Sequence, residues 1–223
     1  MAQNPLAAQP KSARQDPYSL QASFYAWLAD PVLSLLSRGL QAAVLQSGCR
    51  FVLDMGCGTG RQCRELLQQG VGCIGLDRSP AMLRTAHSRN PGSLPLVQAQ
   101  AWSAPFSDSS FEAVILSLAL HEVRPDQRRA VLGEAARLLQ LGGLAFILDF
   151  EPPTSLSRRL LHCPIAVIER LAGKEHYQAS RHFLRHGGTT GLISSWPGSL
   201  LSSRPLLQGA LALHILQKGS TQA

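Results

Sequence analysis

A chain of 223 residues with 45% hydrophobic and 16% charged content can close one sizeable core, which excludes a disordered polymer and a short disulfide scaffold. The apolar run Ala113–Leu120, interrupted by Ser117, falls far short of the roughly 18 residues a membrane-spanning helix needs. The net charge of +7 rests on Arg far more than Lys and points to an anionic partner or to a basic solvated surface; no basic run interleaved with aromatics signals a long nucleic acid.

Residues 1–17 carry Pro5, Pro10 and Pro17 among Ala and Gln and lack an apolar h-region, so they read as a flexible tail and not a signal peptide. Cys49, Cys57, Cys63, Cys73 and Cys163 form no CxxC pair; reduced thiols, a cytoplasmic location and no metal site are expected. Tyr18–Leu28 and Pro31–Leu45 read as helices of an N-terminal cap over 18–48, with Phe24, Tyr25 and Trp27 as a lid or as plain packing against the sheet.

From Arg50 onward, short apolar runs alternate with helical periods, the pattern of parallel strands joined by crossover helices. Strands are expected at Phe51–Leu53, Cys73–Leu76, Leu96–Gln100, Phe111–Leu116 and Leu144–Leu148, the last ending at Asp149. Between them come helices at Arg61–Gln69, closed by Gly70, at Pro80–Arg89 with Ser79 as N-cap, and at Pro125–Leu141, stopped by Gly142-Gly143. After Pro152-Pro153, basic helices are expected at Leu156–Ala172 and His176–His186, and loops at Gly187, Gly188, Gly191 and Pro197. A strand near Leu200–Ser203 turns at Arg204-Pro205 toward a last one at Ala210–Leu216, forming an antiparallel edge. The sum is a doubly wound, Rossmann-like α/β domain over 49–223, with a mostly parallel seven-strand sheet and a helical insertion at about 152–190.

The segment Asp54-Met55-Gly56-Cys57-Gly58-Thr59-Gly60 joins the first strand to a helix. Glycines at alternate positions let the backbone turn sharply and approach a ligand, while the helix start offers unpaired N–H groups. Asp77, twenty-one residues after Gly56 at the next strand's end, is placed to accept both hydroxyls of a ribose, which marks a nucleoside site. A dinucleotide fingerprint would need glycine at position 61, where Arg61 stands.

Val52 through Gly60 resembles motif I of the class I S-adenosylmethionine-dependent methyltransferases. The resemblance runs from about Phe51 to Glu151 and includes Gly75–Leu83, Ala104–Glu112 and Glu134–Gly143 in the family's order; the two flanks match only in style. It implies S-adenosylmethionine as cofactor, held by Asp54, Gly56, Cys57, Gly58 and Gly60, with Asp77 and Arg78 at the ribose and Met82 against the adenine. Gln100 stands where the family often has an acid near the adenine amino group, and Ala101 and the stacking or packing Trp102 follow it. Ser117 is expected near the sulfonium.

His121 lies where the family places acceptor-facing residues, and an imidazole of ordinary pKa near 6.5 suits a general base, although an in-line transfer can proceed on positioning alone. Arg158, Arg159, Arg181 and Arg185 are available to an anionic acceptor or form a solvated face. The resemblance implies methyl transfer to a small aromatic or anionic molecule, nearest in style to the quinone-biosynthesis branch. RNA methylation and cofactor binding without turnover are the alternatives.

Overall fold

The structure, a computed structural model, describes residues 37–89, 94–153, 170 and 173–219. The expected tail, the helix over Tyr18–Leu28 with its aromatic lid, and the segment bearing Arg158, Arg159 and Cys163 lie outside the described residues. The second expected cap helix, α1, is described over 37–47, where Leu40 and Val44, one helical turn apart, are fully buried and join the core.

Seven strands form one sheet in the order β3-β2-β1-β4-β5-β7-β6. Strands β1 (Phe51–Met55), β2 (Gly72–Asp77), β3 (Leu96–Gln98), β4 (Phe111–Ser117) and β5 (Leu139–Phe150) run parallel. Strand β7 (Leu211–Lys218) is antiparallel to β5 and β6 (Gly198–Leu206) antiparallel to β7, giving the antiparallel edge. The central strands are apolar on both faces: Val52, Leu53, Val114, Ile115, Phe146 and Ile147 have no exposed surface, as helix-covered parallel strands require. Helices α2 (Arg61–Gln68), α3 (Pro80–Arg89) and α4 (Arg128–Leu138) follow β1, β2 and β4. At the start of α3, the Met82 amide donates to Ser79 Oγ at 3.2 Å, the expected N-cap bond.

Three element assignments need correction: Arg204 and Pro205, expected at a turn, lie inside β6 and pair with Leu213 and Ala212, and the chain reverses at Leu207–Gly209 instead. Helix α4 ends at Leu138, and Leu139, expected inside it, is extended at ψ 141° and pairs with Phe111. The register between β4 and β5 then shifts, so Ala113 pairs with Leu144 and the glycine pair turns the chain within the strand instead of capping a helix. Beyond Glu151, α5 (Lys174–Arg185) is followed by α6 (Gly188–Ile193), a short helix where the glycines suggested a loop. Its Thr189 is fully buried and its hydroxyl donates to Phe150 O at 3.1 Å, a tertiary bond that outweighs weak helix propensity.

The paired Glu134 and Arg137 of α4 act as a clamp. Glu134 Oε1 accepts from the Ala104 amide and from Arg137 Nη2, both at 2.7 Å, while Arg137 also donates to the Phe106 and Ala104 carbonyls. The turn before β4 is thereby fixed, and the Arg137 guanidinium holds the Glu134 carboxyl below its ordinary range. Among the described residues, no helix is long and apolar enough to cross a membrane, and Cys49, Cys57, Cys63 and Cys73 are free.

Candidate active site

The carboxyl ends of β1, β2 and β4 converge on the glycine segment. The amides of Gly56 and Cys57 both donate to Leu76 O, at 2.7 and 3.0 Å, folding the loop back over β2. Gly56 has φ +85°, and a Cβ there would lie 2.9 Å from the Ala119 side chain, so the loop after β4 packs directly on this backbone. Gly58, at φ +52°, would place a Cβ in open space, leaving its backbone face accessible. Helix α2 starts one residue after Gly60 with no side-chain cap, so its first-turn N–H groups keep their affinity for an anion.

Asp77 is locked to this loop. Its Oδ2 accepts from the Gly58 amide and its Oδ1 from the Ser79 amide, each at 2.8 Å. Each oxygen retains a lone pair for a further donor. Burial raises the Asp77 carboxyl and the charge of Glu122 adds to it, while the Ser79 and Gly58 amides and Arg78 pull it down. Asp54, 2% exposed at the heart of the site, is pushed up to about 7 by burial, against a hydrogen bond from the Cys63 thiol and with the charge of Asp77 reinforcing the rise. Three carboxylates thus share one field at the strand ends, an arrangement complementary to a cation.

The chain leaves β4 through Leu118, whose φ of +51° is unusual for a leucine and turns the following residues toward the glycine loop. Two residues beyond Ala119, His121 is 2% exposed with Nδ1 2.7 Å from Asp149 Oδ1. Asp149, fully buried at the end of β5, also accepts the amides of Leu120, His121 and Phe150 at 2.8, 3.2 and 2.8 Å. A carboxylate with that many donors is itself the acceptor for Nδ1–H, so the neutral ring carries its lone pair on Nε2. Glu122 Oε1 lies 3.9 Å from both His121 Nε2 and His176 Nε2.

Arg128, 4% exposed, braces this corner by donating to Leu120 O at 3.1 Å, His121 O at 3.2 Å and, across to α5, Ala179 O at 2.6 Å. Its guanidinium also sits 4.9 Å from the centre of the Phe183 ring. Burial pulls it down to about 10, with Asp149 opposing, and it stays charged at neutral pH.

Of the residues expected at the site, Gly56, Cys57, Gly58, Gly60 and Asp77 form one hydrogen-bonded unit, while Asp54, buried at the end of β1, accepts from the Cys63 thiol. Ser117 ends β4 beside it, and Met82 is buried on α3. Gln100, Ala101 and Trp102 form a turn after β3; Gln100 bridges to Ser103, and the Ala99 amide ties the turn to Asp77 O at 3.1 Å. Arg78 is exposed, and so is Arg181, which binds Tyr177 on its own helix at 3.1 Å and stands apart from the cluster. The sequence reading missed Asp149 as the partner of His121, and missed Glu122, Arg128 and His176. Only the His121-Glu122 pair at a strand end carried a local signal; the others are joined to it across 7 to 55 positions of chain.

Residues 52–143 match the family described as "Methyltransferase domain". This middle segment of the chain is similar to a methyltransferase domain. It is 36% identical over 104 residues to an uncharacterized methyltransferase of Synechocystis, covering 47% of this chain and 49% of that protein. To a demethylmenaquinone methyltransferase of Mycobacterium tuberculosis it is 36% identical over 133 residues, covering 57% and 55%. The chain spans about half the length of these curated relatives. Among solved structures, a possible histamine N-methyltransferase from Thermotoga maritima aligns with TM-score 0.63 at 18% identity, covering 91% of this chain and 98% of that one. A methyltransferase from Methanosarcina mazei aligns with TM-score 0.55 at 21% identity, covering 75% and 92%.

Proposed function

We propose that this protein transfers the methyl group of S-adenosylmethionine to a small-molecule acceptor. The observation that carries the reading is the locked pair of Asp77 and the glycine loop, whose amides, open backbone at Gly58 and uncapped α2 start suit this cofactor. The cofactor's carboxylate fits the helix start, its ribose hydroxyls fit the remaining lone pairs of Asp77, and its ammonium and sulfonium charges fit the field of Asp54, Asp77 and Glu122. In this reading Arg78 flanks the ribose, Met82 and the turn Gln100-Ala101-Trp102 border the adenine, Cys57 packs beneath the loop, and Ser117 borders the sulfonium.

The cofactor, when bound, supplies an electrophilic methyl carbon, so the protein's task is to align an acceptor with it and exclude water. His121 is the catalytic candidate: Asp149 fixes its ring so that Nε2 can accept a hydrogen bond from the acceptor's nucleophilic group. The names of the relatives make a hydroquinone-like aromatic the first acceptor to try. The free thiols suit a reducing compartment such as the cytoplasm. Incubation with S-adenosylmethionine and pooled aromatic metabolites should yield S-adenosylhomocysteine together with a product heavier by one methylene. Binding of the cofactor without either product across the pools defeats the enzymatic reading in favour of a non-catalytic binding protein.

A further inference from the structure

We infer that His121, Glu122 and His176 form a binding site for one divalent transition-metal ion at the rim of the cofactor cleft. One ligand atom from each of the three residues lies within 4.8 Å of the others. Metal–nitrogen bonds of roughly 2.0–2.1 Å at tetrahedral angles put donors about 3.4 Å apart, so the side chains need to close by at most about 1.4 Å. Two imidazoles and one carboxylate are the donor set of zinc, iron(II), cobalt(II) or nickel(II) and a poor one for magnesium or calcium. Three protein ligands leave coordination positions open, as a reactive site requires and a purely structural one does not.

Two further features are those of a built metal site. The Asp149 carboxylate, 2.7 Å from His121 Nδ1, orients the ring and turns its lone pair toward Glu122 and His176, as a carboxylate behind a ligating histidine does. His176, 8% exposed, rides on α5, and Arg128 ties that helix to the loop of His121 through Ala179 O and His121 O. The two ligand-bearing segments are thus held together by a buried guanidinium before any ion arrives. The rings of His121 and His176 stand nearly perpendicular, 5.7 Å between centroids.

The site borders the cleft because the loop that carries it packs on the glycine segment, Ala119 lying against Gly56 two residues before His121. An ion there takes the Nε2 lone pair of His121 and presents an open position to an oxygen, sulfur or nitrogen atom of the acceptor. In that state His121 is a ligand and not a base. The inference does not require methyl transfer, since ion binding is measured with neither cofactor nor acceptor present.

The test uses tag-free protein stripped with a chelator and titrated with Co²⁺, followed by calorimetry and by visible d–d absorption. One ion per chain is expected, with ligand-field bands that disappear in His176→Ala and His121→Ala, binding at least tenfold weaker in Glu122→Gln, and a loss of about 10–100-fold in Asp149→Asn. His186→Ala, on the same helix outside the triad, should bind as the parent does. Circular dichroism and S-adenosylmethionine affinity unchanged in His176→Ala show that the fold persists. An absence of stoichiometric binding, unaltered bands in His176→Ala, or equal loss in His186→Ala overturns the site.

Discussion

His121 and Asp77 divide the labour at single-residue scale, and their substitutions should separate. His121→Ala removes only the acceptor side, so turnover should fall by about a hundredfold or more while cofactor affinity stays within about twofold; steady-state kinetics beside calorimetry checks this, and parallel losses refute it. Asp77→Ala removes a charged acceptor that holds the loop and, in the proposed reading, binds the ribose, so cofactor affinity should drop by roughly tenfold to a hundredfold, from about 1.5–3 kcal/mol per charge-assisted bond. Asp54 governs a pH effect. Its carboxyl is pushed up to about 7 by burial, with Asp77 adding to it, against an unfolded value of about 3.9. Between those values the folded chain binds the extra proton, so stability is greatest at the acid end of the window and falls as pH rises toward 7. Asp54→Asn should flatten that slope in urea denaturation of the cofactor-free protein; an unchanged slope assigns it to other groups.

At the scale of elements, the loop after β4 is the part most dependent on its neighbours. It is pinned by Leu118 in a left-handed conformation, by three backbone and side-chain bonds to Asp149, and by Arg128 reaching across to α5. Arg128→Met leaves three buried carbonyls without their donor and should cost about 2–5 kcal/mol, with turnover falling more than cofactor binding because α5 and the His121 loop separate. Gly56→Ala tests the opposite contact. A methyl group at φ +85° and 2.9 Å from Ala119 should cost about 1–3 kcal/mol and displace the same loop, seen as a lower melting temperature with reduced turnover.

For the whole molecule, the glycine loop and Asp77 exist as a unit only when β1 and β2 are docked, so cofactor binding and folding are linked. S-adenosylmethionine at a hundred times its dissociation constant should stabilise the chain by about 2.7 kcal/mol, read as a rise in melting temperature that Asp77→Ala cuts to about 0.4–1.4 kcal/mol at the same concentration. The net charge of +7 poses the other global question. If the acceptor is a small molecule, activity should depend weakly on added salt; a steep fall in binding between low and moderate ionic strength would favour RNA.

The sequence by itself determined the parallel core, the N-cap at Ser79, the glycine turn and Asp77, because strand periodicity, cap chemistry and left-handed backbone are local demands written in consecutive residues. It also marked His121 by its place after β4. The end of α4 was decided elsewhere: Leu139 leaves the helix to pair with Phe111, and the glycines after it turn within a strand. The same is true of α6, whose glycine-rich segment becomes helical because Thr189 anchors it to Phe150 O. The pairing of His121 with Asp149, 28 positions away, and of Glu122 with His176 could emerge only from the packed fold, since a hydrogen bond or a ligand pair between distant residues leaves no period and no spacing in the chain.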